Sequence, residues 1–173
     1  MKKILIAAFA TACLYTSCSD TTTTATKTDS QEEKNIAANK AISQTFLTGD
    51  VSAIDSFVSE DFIDHTDRGD MKGRDSLKAM VKMMHTSFKD MKMETVREVA
   101  DGDYVWSWMK YTGTSDGSMG MPKGPYDMDA VELSKYKDGK AIEHWGFMEM
   151  QDMMKMMPPP PPPAKSTTDT TKK

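Results

Sequence analysis

The chain has 173 residues and a formal net charge of −4 at neutral pH, a length that allows one modest domain once its two ends are set aside. The acidic balance argues against nucleic acid as a partner. The sequence also lacks a glycine-rich phosphate loop, so it gives no support for nucleotide binding.

Residues 1–17 have the pattern of a secretory signal. A charged start, Met1-Lys2-Lys3, precedes the apolar run Ile4–Leu14, which is too short for a permanent membrane span. The following Leu14-Tyr15-Thr16-Ser17-Cys18 resembles the bacterial lipobox, in which the cysteine is lipidated and becomes the new N-terminus. We therefore expect an exported bacterial lipoprotein, anchored through Cys18 and facing the periplasm or the cell surface. An ordinary secreted protein is the alternative.

Two polar segments are expected to lie outside the folded domain. Residues 18–32 comprise Cys18 and a Thr-rich stretch without periodicity, which is typical of a flexible tether. Residues 158–173 begin with six prolines, which favour polyproline II conformation followed by coil. The predicted domain therefore spans residues 33–157.

Within that domain the hydrophobic pattern predicts helices first and strands afterwards. Three helices are marked by Ala38, Ala41, Ile42 and Phe46, by Ile54, Phe57 and Val58, and by Leu77, Met80, Val81, Met84 and Phe88. Four strands are predicted at Met91–Val99, Tyr104–Thr112, Tyr126–Lys137 and Lys140–Met150. Helices segregated from an antiparallel sheet predict the α+β class.

The clearest local signal is the dipeptide Asp138-Gly139. It favours a type I′ hairpin turn, because both central residues of that turn need positive φ. Side chains alternate along the strand that follows. Ile142, His144, Gly146 and Met148 therefore share one face, which presents a histidine among apolar neighbours.

Several short motifs, together with the order of the elements, resemble the SnoaL-like polyketide cyclase family over residues 39–157. They are Phe62-Ile63-Asp64-His65, Gly120-Met121-Pro122, and Asp138-Gly139-Lys140 leading to Glu143-His144-Trp145. The resemblance implies the cone-shaped α+β barrel of the nuclear transport factor 2-like superfamily, in which a curved antiparallel sheet wraps around N-terminal helices and leaves an apolar pocket. It also implies acid/base ring closure by intramolecular aldol condensation, without metal or cofactor.

The resemblance places His144 at the centre of the candidate site. In the characterised cyclases the acid/base aspartate lies two residues after this histidine, where the present chain has Gly146. We therefore consider Asp129 and Asp127, which share a face of the preceding strand, as relocated carboxylates paired with His144. The alternative is that these aspartates are solvated and His144 is a hydrogen-bonded residue of the pocket wall.

The remaining candidates line the expected ligand pocket. The resemblance places Asp64 and His65 at its mouth, and Trp106 and Trp108 share a strand face from which they could stack on a flat ligand or enter the core. Met121 and Met148 complete the set. The abundance of methionine raises the idea of copper(I) binding, but flexible pocket or core packing is the preferred interpretation. We predict no cofactor and no metal site.

Three hypotheses remain open. The first is a lipid-anchored domain that binds a small hydrophobic molecule in an apolar pocket without transforming it. The second is a cyclase or isomerase that acts on a small carbonyl compound through His144 and a relocated carboxylate. The third is a non-catalytic dimerisation or interaction domain. The expected partners are the hydrophobic ligand, the membrane through the lipid anchor alone, and a second copy of the chain in a homodimer.

Overall fold

The computed structural model describes the backbone of residues 22–156 and the side chains of residues 30–155. The predicted signal, Cys18 and the proline-rich tail lie outside the described residues. The helices are α1 (Thr22–Thr48), α2 (Ser52–Phe57), α3 (Arg74–Ser87) and α4 (Met150–Met156). The strands are β1 (Val58–Thr66), β2 (Gly69–Lys72), β3 (Phe88–Asp101), β4 (Tyr104–Ser115), β5 (Gly124–Lys137) and β6 (Lys140–Met148).

The six strands form one sheet in the order β2-β1-β6-β5-β4-β3. Every neighbouring pair is antiparallel except β1 and β6, which run parallel. The sequence predicted an antiparallel sheet without this exception. The parallel pair is important for the site, because it sets Asp64 directly opposite His144.

Helices α1 and α3 pack against one face of the sheet, which we call the inner face. Val105, Ser107 and Met109 of β4 are buried there, whereas Trp106 and Trp108 point away and define the outer face. The main core lies between the helices and the inner face. It comprises Ala38, Ile54, Val58, Phe62, Leu77, Val81, Val105, Tyr136 and Ala141.

The hairpin between β5 and β6 is confirmed. Asp138 and Gly139 both have positive φ, 52° and 76°, and Lys137 pairs with Lys140 on either side of the turn. The amphipathic helix around Leu77 and Val81 is also confirmed as α3, and both residues are buried.

The prediction that all strands follow the helices was wrong, because β1 and β2 lie between α2 and α3. The register of β1 against β6 shifts between Val58 and Ile63. That irregularity removes the strict apolar and polar alternation by which a strand is recognised. The sequence pattern therefore predicts only a helix at Phe57-Val58, where α2 ends and β1 begins.

The predicted tether also differs from the structure. Helix α1 begins at Thr22, within the segment predicted to be flexible. Glu32, the last residue of that segment, accepts a hydrogen bond from the backbone N–H of Gly102 at 2.9 Å, and Asn35 donates to the Gly102 carbonyl at 3.1 Å. The turn between β3 and β4 thus anchors the helix, a contact that local composition does not reveal. No helix within residues 22–156 is both long and apolar enough to cross a membrane.

Candidate functional site

His144 lies on the inner face of β6 between two carboxylates. Its Nδ1 is 2.8 Å from Oδ1 of Asp64 on β1, and its Nε2 is 3.0 Å from Oε2 of Glu132 on β5. The side chains of His144, Asp64 and Glu132 are 29%, 7% and 22% exposed, so Asp64 is the enclosed end of the triad and the other two are accessible to small molecules. Three strands that are distant in sequence therefore bring one imidazole and two acids together.

The two carboxylates determine the charge of the imidazole. Burial disfavours the cation, but the hydrogen bonds that the ring donates to Asp64 and Glu132 outweigh this cost and raise the pKa of His144 to about 9. The ring is therefore protonated at neutral pH, and both nitrogens donate. The imidazolium of His144 thus lies between two carboxylates, and a proton can move along the short hydrogen bonds that join them.

Tyr111 of β4 is the fourth member of the cluster. Its hydroxyl donates to Oε1 of Glu132 at 2.8 Å. Burial, followed by the negative charge of Glu132, raises the pKa of Tyr111, so the phenol keeps its proton and remains a donor. Glu132 is thus held from two sides, by Tyr111 through one oxygen and by His144 through the other.

Glycine at residue 146 gives Glu132 the space to reach His144. Glu132 pairs directly with Gly146 across the hairpin, and Oε2 of Glu132 lies only 3.0 Å from the position that a Cβ would occupy at residue 146. This is the position at which the family resemblance implied an aspartate. At this place on the inner face the structure therefore has the carboxylate of Glu132, which comes from the neighbouring strand β5.

The surroundings of the cluster are apolar and rich in methionine. Ala130 lies opposite both Met109 and Met148, so these three share the inner face with Glu132. Beyond Tyr111, its cross-strand neighbours Met128 and Met93 occupy the same face. Flexible thioethers adapt their shape to an apolar ligand, so the inner face offers an adjustable lining beside the ionised groups.

A second polar network lies deeper, where α1 meets the sheet. The amide of Asn39 donates to Oε1 of Glu98 at 3.0 Å and to Ser107 at 3.1 Å, and its oxygen accepts from the hydroxyl of Tyr136 at 2.9 Å. Tyr136 is 1% exposed. Because these groups satisfy one another, we assign this network to holding α1 on β3, β4 and β5 rather than to chemistry.

The prediction that Asp129 or Asp127 faces His144 was wrong. Opposite His144 on β5 lies Ser134, and residue 132 is the carboxylate on the inner face. Asp127 is instead bonded to Lys110 at 2.9 Å, and the backbone N–H of Asp129 donates to Asp152 of α4.

A single irregularity explains this error. From the Asp138-Gly139 turn, regular pairing would continue from Tyr136 opposite Ala141 and put odd-numbered residues of β5 on the face of His144. The register shifts by one after Tyr136, so Lys135 lies opposite Glu143. The extra residue is Ile142 of β6, and it exchanges the faces of the rest of that strand relative to β5, so His144 lies on the side of Glu132 and not of the two aspartates.

Three of the predicted pocket residues lie on the outer face. Trp106 and Trp108 are about half exposed there. The ring of His65 stacks on Trp145 with 4.7 Å between ring centroids, and its nitrogens contact Asp70 at 2.9 Å and Glu143 at 3.3 Å. These side chains therefore cannot line a pocket on the inner face.

The other predicted pocket residues have different positions. Asp64 and Met148 do face inward, beside His144 and Ala130 respectively. Met121 is buried in the connection between β4 and β5 and lines a depression of about 200 Å³ that α4 borders through Asp152. Within residues 30–155 no group of three or more His, Cys, Asp or Glu side chains is arranged to hold a metal ion.

The fold defines the class of the protein. An α+β arrangement with a curved open sheet and N-terminal helices is the nuclear transport factor 2-like fold, and solved structures superpose on it. A protein assigned to the SnoaL-like polyketide cyclases from Jannaschia sp. CCS1 matches with a TM-score of 0.65 and 19% identity, over 76% of this chain and 96% of that one. TsrD from Streptomyces laurentii matches with a TM-score of 0.63 and 16% identity, over 72% and 94%.

An LEH-like epoxide hydrolase from M. tuberculosis has the same fold, with a TM-score of 0.59 and 14% identity over 73% of this chain and 90% of that one. No curated protein matches the sequence. The family model for SnoaL-like polyketide cyclases matches residues 36–157, which is more than half of the chain. The chain belongs to the SnoaL-like polyketide cyclase family.

Proposed function

We propose that this domain is an acid/base enzyme that acts on a small carbonyl compound, with Glu132 as the carboxylate and His144 as its proton-sharing partner. The observation that carries the proposal is the position of Glu132 Oε2, 3.0 Å from His144 Nε2 and 3.0 Å from the Cβ position of Gly146. The carboxylate implied by the family resemblance is thus supplied by a different strand.

The chemistry follows from the resting charges. Ionised Glu132 accepts a proton from the carbon next to the carbonyl, and the electron pair of that C–H bond moves to the carbonyl oxygen to form an enolate. Because Glu132 is bonded to Tyr111 and His144, the substrate must replace one of these contacts. The neutral carboxyl then returns a proton to the new alkoxide of a cyclised product, or to carbon in an isomerisation.

His144 and Asp64 have distinct parts in this scheme. Hydrogen bonding from His144 Nε2 stabilises ionised Glu132, and transfer of that proton makes Glu132 an acid. Asp64 accepts from Nδ1 at 2.8 Å, which orients the ring and stabilises the imidazolium. We therefore regard Asp64 as a positioning residue, whereas Glu132 touches the reacting atoms.

The test is exchange of α-protons for solvent deuterium in small ketones, with cyclohexanone and 2-tetralone as probes, followed by NMR. We expect the wild-type chain to accelerate exchange, and Glu132→Gln and His144→Ala to lose the acceleration. His65→Ala is the matched control, because His65 also lies between two carboxylates, Asp70 and Glu143, but on the outer face, and its removal should leave activity unchanged. Equal exchange rates in wild type and Glu132→Gln would refute the proposal.

A non-catalytic binding function is the second candidate, and it is favoured by one observation. Both nitrogens of His144 and both oxygens of Glu132 already have partners within the protein. A structural network needs no more than that. If apolar dyes bind equally to wild type and Glu132→Gln while neither protein exchanges α-protons, the binding function is the better account.

We further propose that the domain is exported and held at a membrane by a lipid on Cys18. The support is the charged and apolar pattern of residues 1–17 and the lipobox-like residues that precede Cys18. Labelling of cells with a radioactive fatty acid should mark the wild-type protein but not Cys18→Ala. Equal labelling of both would refute the anchor.

A further inference from the structure

Helix α4 exposes its methionines to solvent. Met150, Met153 and Met154 are 72%, 44% and 56% exposed. On the opposite side of the helix the side chain of Asp152 is only 12% exposed, and its carboxylate accepts a hydrogen bond from the backbone N–H of Asp129 on β5. The helix therefore packs a charged residue against the sheet and leaves apolar side chains in water, which is the reverse of an ordinary amphipathic helix.

Packing accounts for other methionines of the chain. Met109 and Met121 are buried, with 5% and 8% of their surface exposed. On α3, Met80, Met83 and Met84 have the same spacing as the three methionines of α4, but Met80 packs against the main core. The interpretation of methionine as flexible packing is thus confirmed for Met80, Met109 and Met121. It does not apply to the exposed thioethers of α4.

Helical spacing brings the three thioethers of α4 close together. Residues three and four positions apart lie on one face of a helix, with about 5–6 Å between their Cβ atoms, and their side chains lean back toward the N-terminus. Met153 and Met154 therefore lean toward Met150 from the following turn. Because the methionine side chain is unbranched and flexible, three sulfur atoms at this spacing can converge on one small ion.

Three convergent thioethers favour a soft metal ion. A thioether is neutral and polarizable, so it suits Cu(I) and not Mg²⁺ or Ca²⁺, which prefer oxygen ligands. Zinc sites are built mainly from Cys and His, and residues 145–157 contain neither. Glu149, directly before the helix, is exposed and forms no salt bridge with a described residue. Its negative charge beside Met150 favours a cation and offsets the partial positive charge of the helix N-terminus.

An apolar partner is the other explanation for an exposed apolar helix, and two observations disfavour it. Helices that bind membranes or proteins carry leucine or aromatic anchors, whereas the exposed face of α4 carries methionine alone. The helix also has only seven residues and is thus about 10 Å long, which gives a partner little surface to bury. Of the apolar residues Leu, Ile, Phe and Met, only Met has a sulfur atom that binds a metal.

We propose that Met150, Met153 and Met154 bind one Cu(I) ion on the exposed face of α4. Each thioether donates a lone pair to the ion, which keeps its oxidation state. Because a thioether has no proton to lose, the affinity of this site should be the same at about pH 6 and about pH 8, unlike that of a thiolate or imidazole site. The site shares no residue with the candidate active site, so the proposal does not depend on the proposed function.

The test is an oxygen-free titration of the full-length chain with Cu(I), with bicinchoninate as the competing chelator. The matched variant combines Met150→Leu, Met153→Leu and Met154→Leu, because leucine keeps the apolar volume and the helix propensity but removes the sulfur. We expect the wild type to bind one more Cu(I) per chain than this triple variant. Met83→Leu is the control and should bind like the wild type, since Met83 is an exposed methionine outside the site. Both cysteines are present in every protein compared, so any ion held by thiols cancels.

Nuclear magnetic resonance locates the ion. With methionine labelled with ¹³C at the methyl carbon, Ag(I), a closed-shell analogue of Cu(I), should shift the resonances of Met150, Met153 and Met154 and leave that of Met83 in place. Met150→Leu alone should weaken binding at least about tenfold, which provides a second variant if the triple variant does not fold as judged by circular dichroism. Equal Cu(I) binding by wild type and Met150→Leu would overturn the proposal. So would methyl resonances of α4 that respond to phosphatidylcholine vesicles but not to Ag(I).

Discussion

Glu132 and Gly146 face each other across the β5–β6 hairpin, and the glutamate carboxylate lies where a side chain of residue 146 would begin, 3.0 Å from its Cβ position. A larger residue at 146 would therefore displace the carboxylate of Glu132 from its present contact with His144. The site uses one carboxylate at this place, and the chain takes it from β5.

Moving the carboxylate from residue 132 to residue 146 tests this relationship. Glu132→Gln should reduce α-proton exchange by about 100-fold or more, because the general base is lost. Gly146→Asp, combined with Glu132→Ala so that the space beside residue 146 is free, should recover at least about tenfold over Glu132→Ala, because the φ of residue 146 is not in the left-handed region and the strand can accept a side chain there. Gly146→Asp alone should be impaired, since two carboxylates then compete for His144. Full activity of that single variant would contradict the relocation.

The ionisation of His144 should depend on Asp64. The pKa of His144 is raised to about 9 against the cost of burial by its two carboxylate partners. Asp64→Asn keeps the shape but removes one charge, so we expect the pKa to fall, as measured by NMR titration of the imidazole. Asp70→Asn is the control, because Asp70 bonds His65 on the outer face and should leave the His144 titration unchanged.

The free energy of unfolding should fall as the pH rises from about 6.5 to about 9. His144 has a raised pKa in the folded chain, so the folded state binds a proton that the unfolded state has released across this range. The stabilisation is complete below the pKa that His144 has in the unfolded chain. It is lost, by on the order of 3 kcal/mol, as the pH rises through the pKa that His144 has in the folded chain. Urea unfolding at several pH values measures it.

The pKa of His65 is also raised, chiefly by Asp70, and its titration acts in the same direction. Comparison with His144→Gln isolates the contribution of His144. If the two proteins lose stability in parallel between pH 6.5 and 9, the prediction fails.

Asn39 should contribute strongly to stability. Asn39→Ala leaves the buried hydroxyl of Tyr136 and the carboxylate of Glu98 without their amide partner, which should cost about 2–4 kcal/mol in the free energy of unfolding. Lys40→Ala is the neighbouring control. The Lys40 side chain is 66% exposed and lies 3.6 Å from Glu98, so its removal should cost less than about 1 kcal/mol. Equal losses would contradict the structural role of Asn39.

Features governed by residues close together in the sequence were predictable. The turn at Asp138-Gly139, the amphipathic pattern around Val81, and the shared face of His144, Gly146 and Met148 all follow from backbone preferences or from the period of an element. Each needs only a few consecutive residues, because a tight turn or an alternating strand selects its own conformation. The α+β class followed from these, whereas the central position of His144 followed from the family resemblance.

The partners of His144 were decided by the tertiary structure. Asp64 precedes it by 80 residues and reaches it only because β1 lies parallel to β6. Glu132, and not Asp129, is its neighbour because one extra residue of β6, Ile142, shifts the register beside Tyr136. The sequence by itself determined which strand carries the histidine and which residues share its side, since alternation is a local property. Strand order and register depend on contacts between distant segments. Only the assembled sheet therefore determines which two carboxylates lie beside His144 and keep its imidazole protonated.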